Sequence, residues 1–160
     1  MILFVLRHAI AEERRPGLAD SRRQLTDDGR KKLKQVLNRA RRAGVAPGVI
    51  LTSSLVRAVD SAHMAAEALG YKGDLVQTAT LSPRAKPEAT WDEVRKYSTE
   101  QQVMVTGHEP HLSKFIAHAL AAPGLQIDLR KGAIVCIDID PAKAKPTGVL
   151  QWILTPRLAK

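Results

Sequence analysis

Six short apolar runs, each too brief for a core helix, punctuate this chain and restrict what it can fold into. Ile2–Arg7 runs Ile-Leu-Phe-Val-Leu without interruption before stopping at Arg7, and such a run reads as a strand covered on both faces. Val49–Thr52 reads as a second buried strand, and Leu75–Thr78, Val103–Thr106, Ile134–Ile139 and Val149–Leu154 read as four further strands. Between them lie segments with helical spacing. Thr26 is expected to cap a helix that carries Asp27 and Asp28 in its first turn and the apolar stripe Leu33, Val36, Leu37 and Ala40, ending near Ala43-Gly44. Ser53 or Ser54 is expected to cap a second helix, with Leu55, Val59, Ala62, Ala66 and Leu69 turned inward and Gly70 as its stop. A loop from Pro83 to Pro87 precedes a third helix around Ala89–Tyr97. A fourth starts near Pro110 and carries Leu112, Phe115, Ile116 and Leu120. Strands alternating with helices imply βαβ units, and so a three-layer α/β/α sandwich around a mostly parallel sheet of about six strands. The last two strands, joined through a Pro/Gly-containing turn, are expected to form an antiparallel edge.

Composition narrows the classes of function. At 160 residues, positions 1–160 are expected to form one domain, and 44% hydrophobic with 26% charged residues is an ordinary globular balance. No apolar run approaches the roughly 18 residues of a membrane helix. The opening run lacks a preceding basic region, so it does not read as a signal peptide. The single cysteine, Cys136, excludes an internal disulfide framework and reads as a core residue. These features favour a cytoplasmic protein. Twenty-five Lys+Arg against 16 Asp+Glu give a formal net charge of +9, which suits nucleic acid, an acidic partner or a phosphorylated substrate. Much of that charge lies at Arg30, Lys31, Lys32, Lys34, Arg39, Arg41 and Arg42, on the outer face of the first long helix. Only 4% aromatic residues leaves little for base stacking, and Trp91 and Trp152 are far apart; nucleic acid is disfavoured.

In an open α/β sheet the ligand lies beyond the carboxyl ends of the parallel strands. The positions to interrogate therefore follow Val5, Leu51 and Val105. They hold Arg7-His8, then Ser53 to Arg57, then Gly107-His108. Two histidines and two arginines would converge on one crevice, with Arg57 in the first turn of its helix, where backbone N–H groups also favour an anion. Arginine presents a planar, charged fork of donors suited to phosphate oxygens. This is a phosphate pocket without a Gly-rich loop, since the chain has neither GxxxxGK[ST] nor GxGxxG.

Leu6-Arg7-His8-Ala9, Arg57 early in the second helix and Gly107-His108-Glu109-Pro110 together resemble the histidine phosphatase superfamily, whose fold is phosphoglycerate-mutase-like. Asp20-Ser21-Arg22-Arg23-Gln24-Leu25-Thr26, then Gly29, and the tail Gly148–Pro156 resemble its small bacterial branch, the phosphohistidine phosphatases. The likeness spans nearly the whole chain. It implies that His8 is the nucleophile, carrying the phosphoryl group as a phosphohistidine that water then hydrolyses. Arg7, Arg57 and His108 would hold the equatorial oxygens, and no metal or other cofactor is expected. The chemistry agrees: a histidine must be neutral to attack, and neighbouring guanidiniums disfavour a second positive charge on its ring. Where the family usually reads Arg-His-Gly, this chain has Ala9, whose methyl could narrow or tilt the pocket, with activity expected to survive.

Two carboxylates compete to protonate the leaving group, with substrate or water as the remaining source. Glu109 resembles the His-acid pair of the acid phosphatase branch, and Asp20 sits in the loop between the first strand and helix. Arg23 is expected to reach the phosphate or steady that loop, and Arg22 to face solvent. Ser53 and Ser54 are expected to act first as helix caps, with N–H groups that also touch the anion. His63, His111 and His118 read as structural. The reading implied is a metal-independent phosphatase for phosphohistidine in proteins, a histidine phosphotransfer domain being one such partner, acting as a monomer without a membrane. A small-molecule phosphomonoesterase is the alternative enzyme, and a phosphoglycerate mutase is disfavoured because the chain lacks segments to enclose the substrate. A catalytically inactive phosphate- or nucleic-acid-binding module is the alternative from another class.

Overall fold

The computed structural model describes residues 1–160. Its elements run β1 (Ile2–Arg7), α1 (Asp27–Arg42), β2 (Val49–Thr52), α2 (Val56–Leu69), β3 (Val76–Gln77), α3 (Pro87–Arg95), β4 (Gln102–Gly107), α4 (His111–Ala119), β5 (Ile134–Asp138) and β6 (Val149–Leu154). They build one six-stranded sheet in the order β3-β2-β4-β1-β5-β6. β1, β2, β3 and β4 are parallel, whereas β5 runs antiparallel to β1, and β6 to β5. The α/β class, the six strands and the antiparallel edge all stand as expected.

The unbroken apolar runs have a direct explanation. Leu3 and Val5 point into one core with Leu51, Val103 and Val105, under α3 and α4 through Trp91, Phe115 and Ile116. Phe4 and Leu6 point the other way with Ile50 and Met104, against Leu33, Leu37, Ala62 and Ala65 of α1 and α2. Side chains alternate across a strand, so a sheet covered on both faces needs apolar residues at every position.

Helix α1 follows its sequence signals closely. Thr26 Oγ1 accepts from the Gly29 N–H at 3.0 Å, and Leu33, Val36, Leu37 and Ala40 form the buried stripe. Gly29 is required because a Cβ there would collide with the Ile10 carbonyl oxygen. Helix α2 differs from expectation in two ways. Its N-cap is Leu55, without a side-chain cap, so neither Ser53 nor Ser54 serves. Its buried face is Arg57, Ala58, Ser61, Ala62, Ala65 and Leu69, while Leu55, Val59 and Ala66 are only half-buried. The helix is rotated because Arg57 and Ser61, one turn apart, must face the strand ends: Ser61 Oγ donates to the Arg57 carbonyl and accepts from the Ala9 N–H. α3 starts at Pro87, which suits the first helical position, so the loop before it is shorter than expected. β3 is only two residues long because Thr78 already caps a 3₁₀ turn at Ala79–Leu81.

Candidate active site

The carboxyl ends of β1, β2 and β4 meet on one side of the sheet, and their following residues converge as the topology required. The His8 and His108 ring centroids are 5.0 Å apart. His8, Arg57 and His108 are 6%, 3% and 2% exposed, so the charged and polar groups form a buried floor. Above them opens a cleft of about 430 Å³ lined also by Arg7, Arg14, Asp20, Arg23, Arg84, Glu109 and Lys131. Six cations against two carboxylates give it a positive lining that suits an anion.

Hydrogen bonds fix the chemistry of the rings. His8 Nδ1 lies 2.7 Å from the Ala9 carbonyl oxygen. A carbonyl only accepts, so Nδ1 carries the proton and Nε2 keeps its lone pair. His108 Nε2 lies 2.8 Å from Ser53 Oγ, which also accepts from the Leu55 N–H at 3.3 Å. With the Ser53 hydroxyl as donor to Nε2, the His108 proton sits on Nδ1, which is buried without a protein partner. Both imidazoles are pushed down to about 3. Burial is the main cause; for His8 the Ala9 carbonyl opposes it while Arg57 and Arg7 add to it, and for His108 the His8 ring and Arg57 add. Both rings are therefore neutral at pH 7.

The guanidiniums of Arg57 on the floor and of Arg7 in the wall beside it are oriented by backbone. Arg7 Nη1 donates to the Leu129 carbonyl at 2.6 Å. Arg57 Nη1 donates to the Asp20 carbonyl at 2.8 Å and Nη2 to Asp20 Oδ2 at 3.1 Å. In each, Nε is buried without a partner. Burial pulls both below the usual arginine value, opposed at Arg7 by Glu109 and Asp128 and at Arg57 by Asp20; both remain charged.

The rim comes from loops. Asp20, in a 3₁₀ turn at Asp20–Arg22, also meets Arg23 Nε at 3.0 Å and Arg14 Nε at 3.4 Å. Burial favours its protonated form, but Arg57, Arg23 and Arg14 outweigh this and hold the carboxyl below its ordinary range. Arg23 lines the cleft and also steadies the loop, donating to the Glu12 carbonyl at 2.7 Å. Glu109 also lines the cleft, with its carboxylate oxygens accepting from the Ser113 N–H and hydroxyl.

Ser53 departs from expectation, and the place of Ala9 settles an open question. Ser53 does not line the cleft, and its N–H is taken by the Thr106 carbonyl at 3.1 Å. It sits behind His108 because β2 and β4 are paired up to that point. Ala9 does not narrow the cleft either: its methyl is buried in the α1/α2-side core with Leu6 and Leu33, because the chain turns inward after His8. His111 is structural as expected, bridging Thr90 Oγ1 at 2.8 Å and the Ala85 carbonyl at 3.0 Å. His63 is exposed, His118 half-buried, and Cys136 lies in the core.

Arg14, Arg84 and Lys131 escaped the sequence reading, and two of them had a usable signal. β3 is parallel, so its downstream residues Ser82-Pro83-Arg84 belong at the same edge. β5 is antiparallel, so the ligand edge receives its beginning, which places Lys131 there. Arg14 lies in a loop without pattern.

Comparison with known proteins agrees with this geometry. Residues 3–84 match the histidine phosphatase superfamily (branch 1). The chain belongs to the histidine phosphatase superfamily. An uncharacterised protein of Picosynechococcus sp. is 32% identical over 139 residues, covering 84% of this chain and 83% of the relative. The structure of the protein histidine phosphatase SixA complexed with tungstate superposes with a TM-score of 0.89 at 21% identity, over all of both chains. The alpha-ribazole phosphatase from Shigella flexneri gives 0.72 at 15% identity, covering 98% of this chain and 97% of that one. These likenesses establish the superfamily fold, and proteins of that fold bear names with different substrates.

Proposed function

We propose that this superfamily member is a metal-independent phosphatase that works through a phosphohistidine on His8 and removes phosphate from phosphohistidine in proteins. The observation that carries the reading is the bare Nε2 of His8, held toward a cationic cleft by the Nδ1–Ala9 hydrogen bond. In the first step Nε2 attacks phosphorus and the bond to the leaving group breaks. In the second, water attacks the phosphorus, the Nε2–P bond breaks, and inorganic phosphate leaves. Dividing the reaction in this way replaces one hard displacement with two easier ones. Arg7, Arg57 and the Nδ1–H of His108 are the donors for the equatorial oxygens, placed in advance where charge spreads in the transition state. A SixA of the same fold has been found complexed with tungstate, a tetrahedral oxyanion like phosphate, which supports a phosphate-type ligand for this chain.

Of the two carboxylates, Glu109 is the better proton carrier. It touches no guanidinium, whereas Asp20 is bound to Arg57 and kept charged by it. An imidazole leaving group suits the site, because it needs less help from a protein acid than an alkoxide does. The cationic rim supports a substrate whose phosphate is carried by an acidic protein.

The test is a panel of phosphohistidine proteins and small phosphate esters compared by kcat/KM, with and without chelator. Phosphohistidine proteins are expected to be preferred by at least about tenfold, a transition-state difference of about 1.4 kcal/mol, with no effect of chelator. A tenfold preference for small esters would overturn the protein-substrate reading and favour a small-molecule phosphomonoesterase.

A further inference from the structure

The positive surface does not end at the cleft. Arg7 and Lys131 form a shared wall, and on its far side lies a second groove of about 860 Å³. It runs between α1, the approach to β5 and the segment after β6. Its charged lining beyond that wall is Lys32, Arg130, Arg157 and Lys160, against one carboxylate, Asp128. Two of these cations are already matched, Lys32 to Asp28 and Arg130 to Asp128, each at 2.6 Å. Arg157 is exposed and makes no ion pair, and Lys131 on the shared wall makes none either. Ile10, Thr155 and Pro156 complete the lining, and no aromatic ring contributes.

We propose that this groove docks an acidic polypeptide segment flanking the phosphorylated residue of a protein substrate, a proposal that rests on the protein-substrate reading above. A small ester is accommodated by the first cleft and leaves the second groove without a role. A polypeptide whose phosphate sits over His8 must cross the rim, and the shared wall at Arg7 and Lys131 opens into this channel. Carboxylates carried along it would meet Lys131 first and Arg157 further out. The match is one of charge, so it acts chiefly on encounter rate and partner choice and weakens with salt. A single-stranded nucleic acid fits less well, because no aromatic side chain is present to stack its bases.

The test uses two synthetic peptides with one phosphohistidine, one flanked by Asp and Glu and one by Ser and Gly. The unphosphorylated acidic peptide and a single-stranded oligonucleotide of equal charge serve as binding probes. The wild-type chain is expected to prefer the acidic phosphopeptide by kcat/KM and to bind its unphosphorylated form. Arg157→Glu should weaken both by roughly fivefold, Arg157→Lys should restore them, and p-nitrophenyl phosphate hydrolysis should be unchanged. Unchanged p-nitrophenyl phosphate turnover also certifies that the variant is folded. Equal treatment of the two phosphopeptides, or no effect of Arg157→Glu on peptide binding, overturns the docking proposal. Tighter binding of the oligonucleotide, also lost in Arg157→Glu, overturns it in favour of nucleic acid. If neither phosphohistidine peptide is turned over while acidic-peptide binding still falls in Arg157→Glu, the groove stands and the phosphohistidine reading fails.

Discussion

The floor and the rim of the cleft are built by different means. On the floor, His8, His108 and Arg57 are almost fully buried and begin where parallel strands or the following helix begin or end. Their hydrogen bonds run mainly to groups the fold supplies: the Ala9 carbonyl, the Ser53 hydroxyl behind His108, and the Asp20 loop across Arg57. On the rim, Arg14, Arg23, Arg84 and Lys131 come from loops, and Asp20 is shared among three guanidiniums. The difference teaches that sheet geometry and burial set the groups proposed to react, whereas the surrounding charge is set by loops. The floor should govern chemical rate, and the rim should govern affinity.

The strongest way to break that division is at the floor. His8→Ala should lower kcat/KM by at least about 10³-fold, since it removes the proposed nucleophile; retention of most activity would remove His8 from the mechanism. Arg57→Ala should cost about 10²–10³-fold, most of it in kcat, as expected for a donor that acts in the transition state. A change confined to KM would move Arg57 from the floor to the rim.

Acid exposes the same floor through stability. The folded-state values of His8 and His108 lie near 3, below the ordinary 6.5. The unfolded chain therefore binds more protons between those limits. Stability is fully present above pH 6.5 and falls as pH drops through that window, by about 1.4 kcal/mol per pH unit for each histidine. Denaturant titrations from pH 7 to 4 measure the slope, and His108→Ala should reduce it.

Smaller effects separate floor from rim. Ser53→Ala should lower kcat by roughly two- to tenfold through loss of one hydrogen bond, and should change the His108 tautomer seen by imidazole ¹⁵N NMR. A lowered kcat with an unaltered tautomer would make Ser53 merely structural. Asp20→Asn should tighten inorganic phosphate binding by roughly two- to fivefold, because Arg57 loses a competing charge. Weaker binding would instead make Asp20 part of the anion site.

The same contrast explains what could be read from the sequence. β1, β2 and β4 were legible because a strand buried on both faces leaves an unbroken apolar run, and the parallel-sheet rule then pointed to Arg7, His8, Arg57 and His108. Glu109 and Arg23 were placed at the cleft as well. Ser53 was misjudged because its position between β2 and α2 suggested a cap, while strand pairing used its N–H and turned its hydroxyl toward His108. The orientation of α2 was missed because a buried arginine and serine carry no apolar signal. Ala9 stands where the family's Arg-His-Gly has glycine, which left the effect of its methyl on the pocket open; the methyl joins the core. Lys131 and Arg84 required the strand directions to be applied to every strand, including the antiparallel one.

The central claim is that phosphate passes through the side chain at position 8. Rapid acid-free quenching during turnover of a ³²P-labelled substrate, followed by peptide mapping, tests it directly. Transient label that survives base, is lost in acid and maps to His8 is the expected result. Label on His108, or product formed in single turnover with no labelled protein at any time, would contradict it.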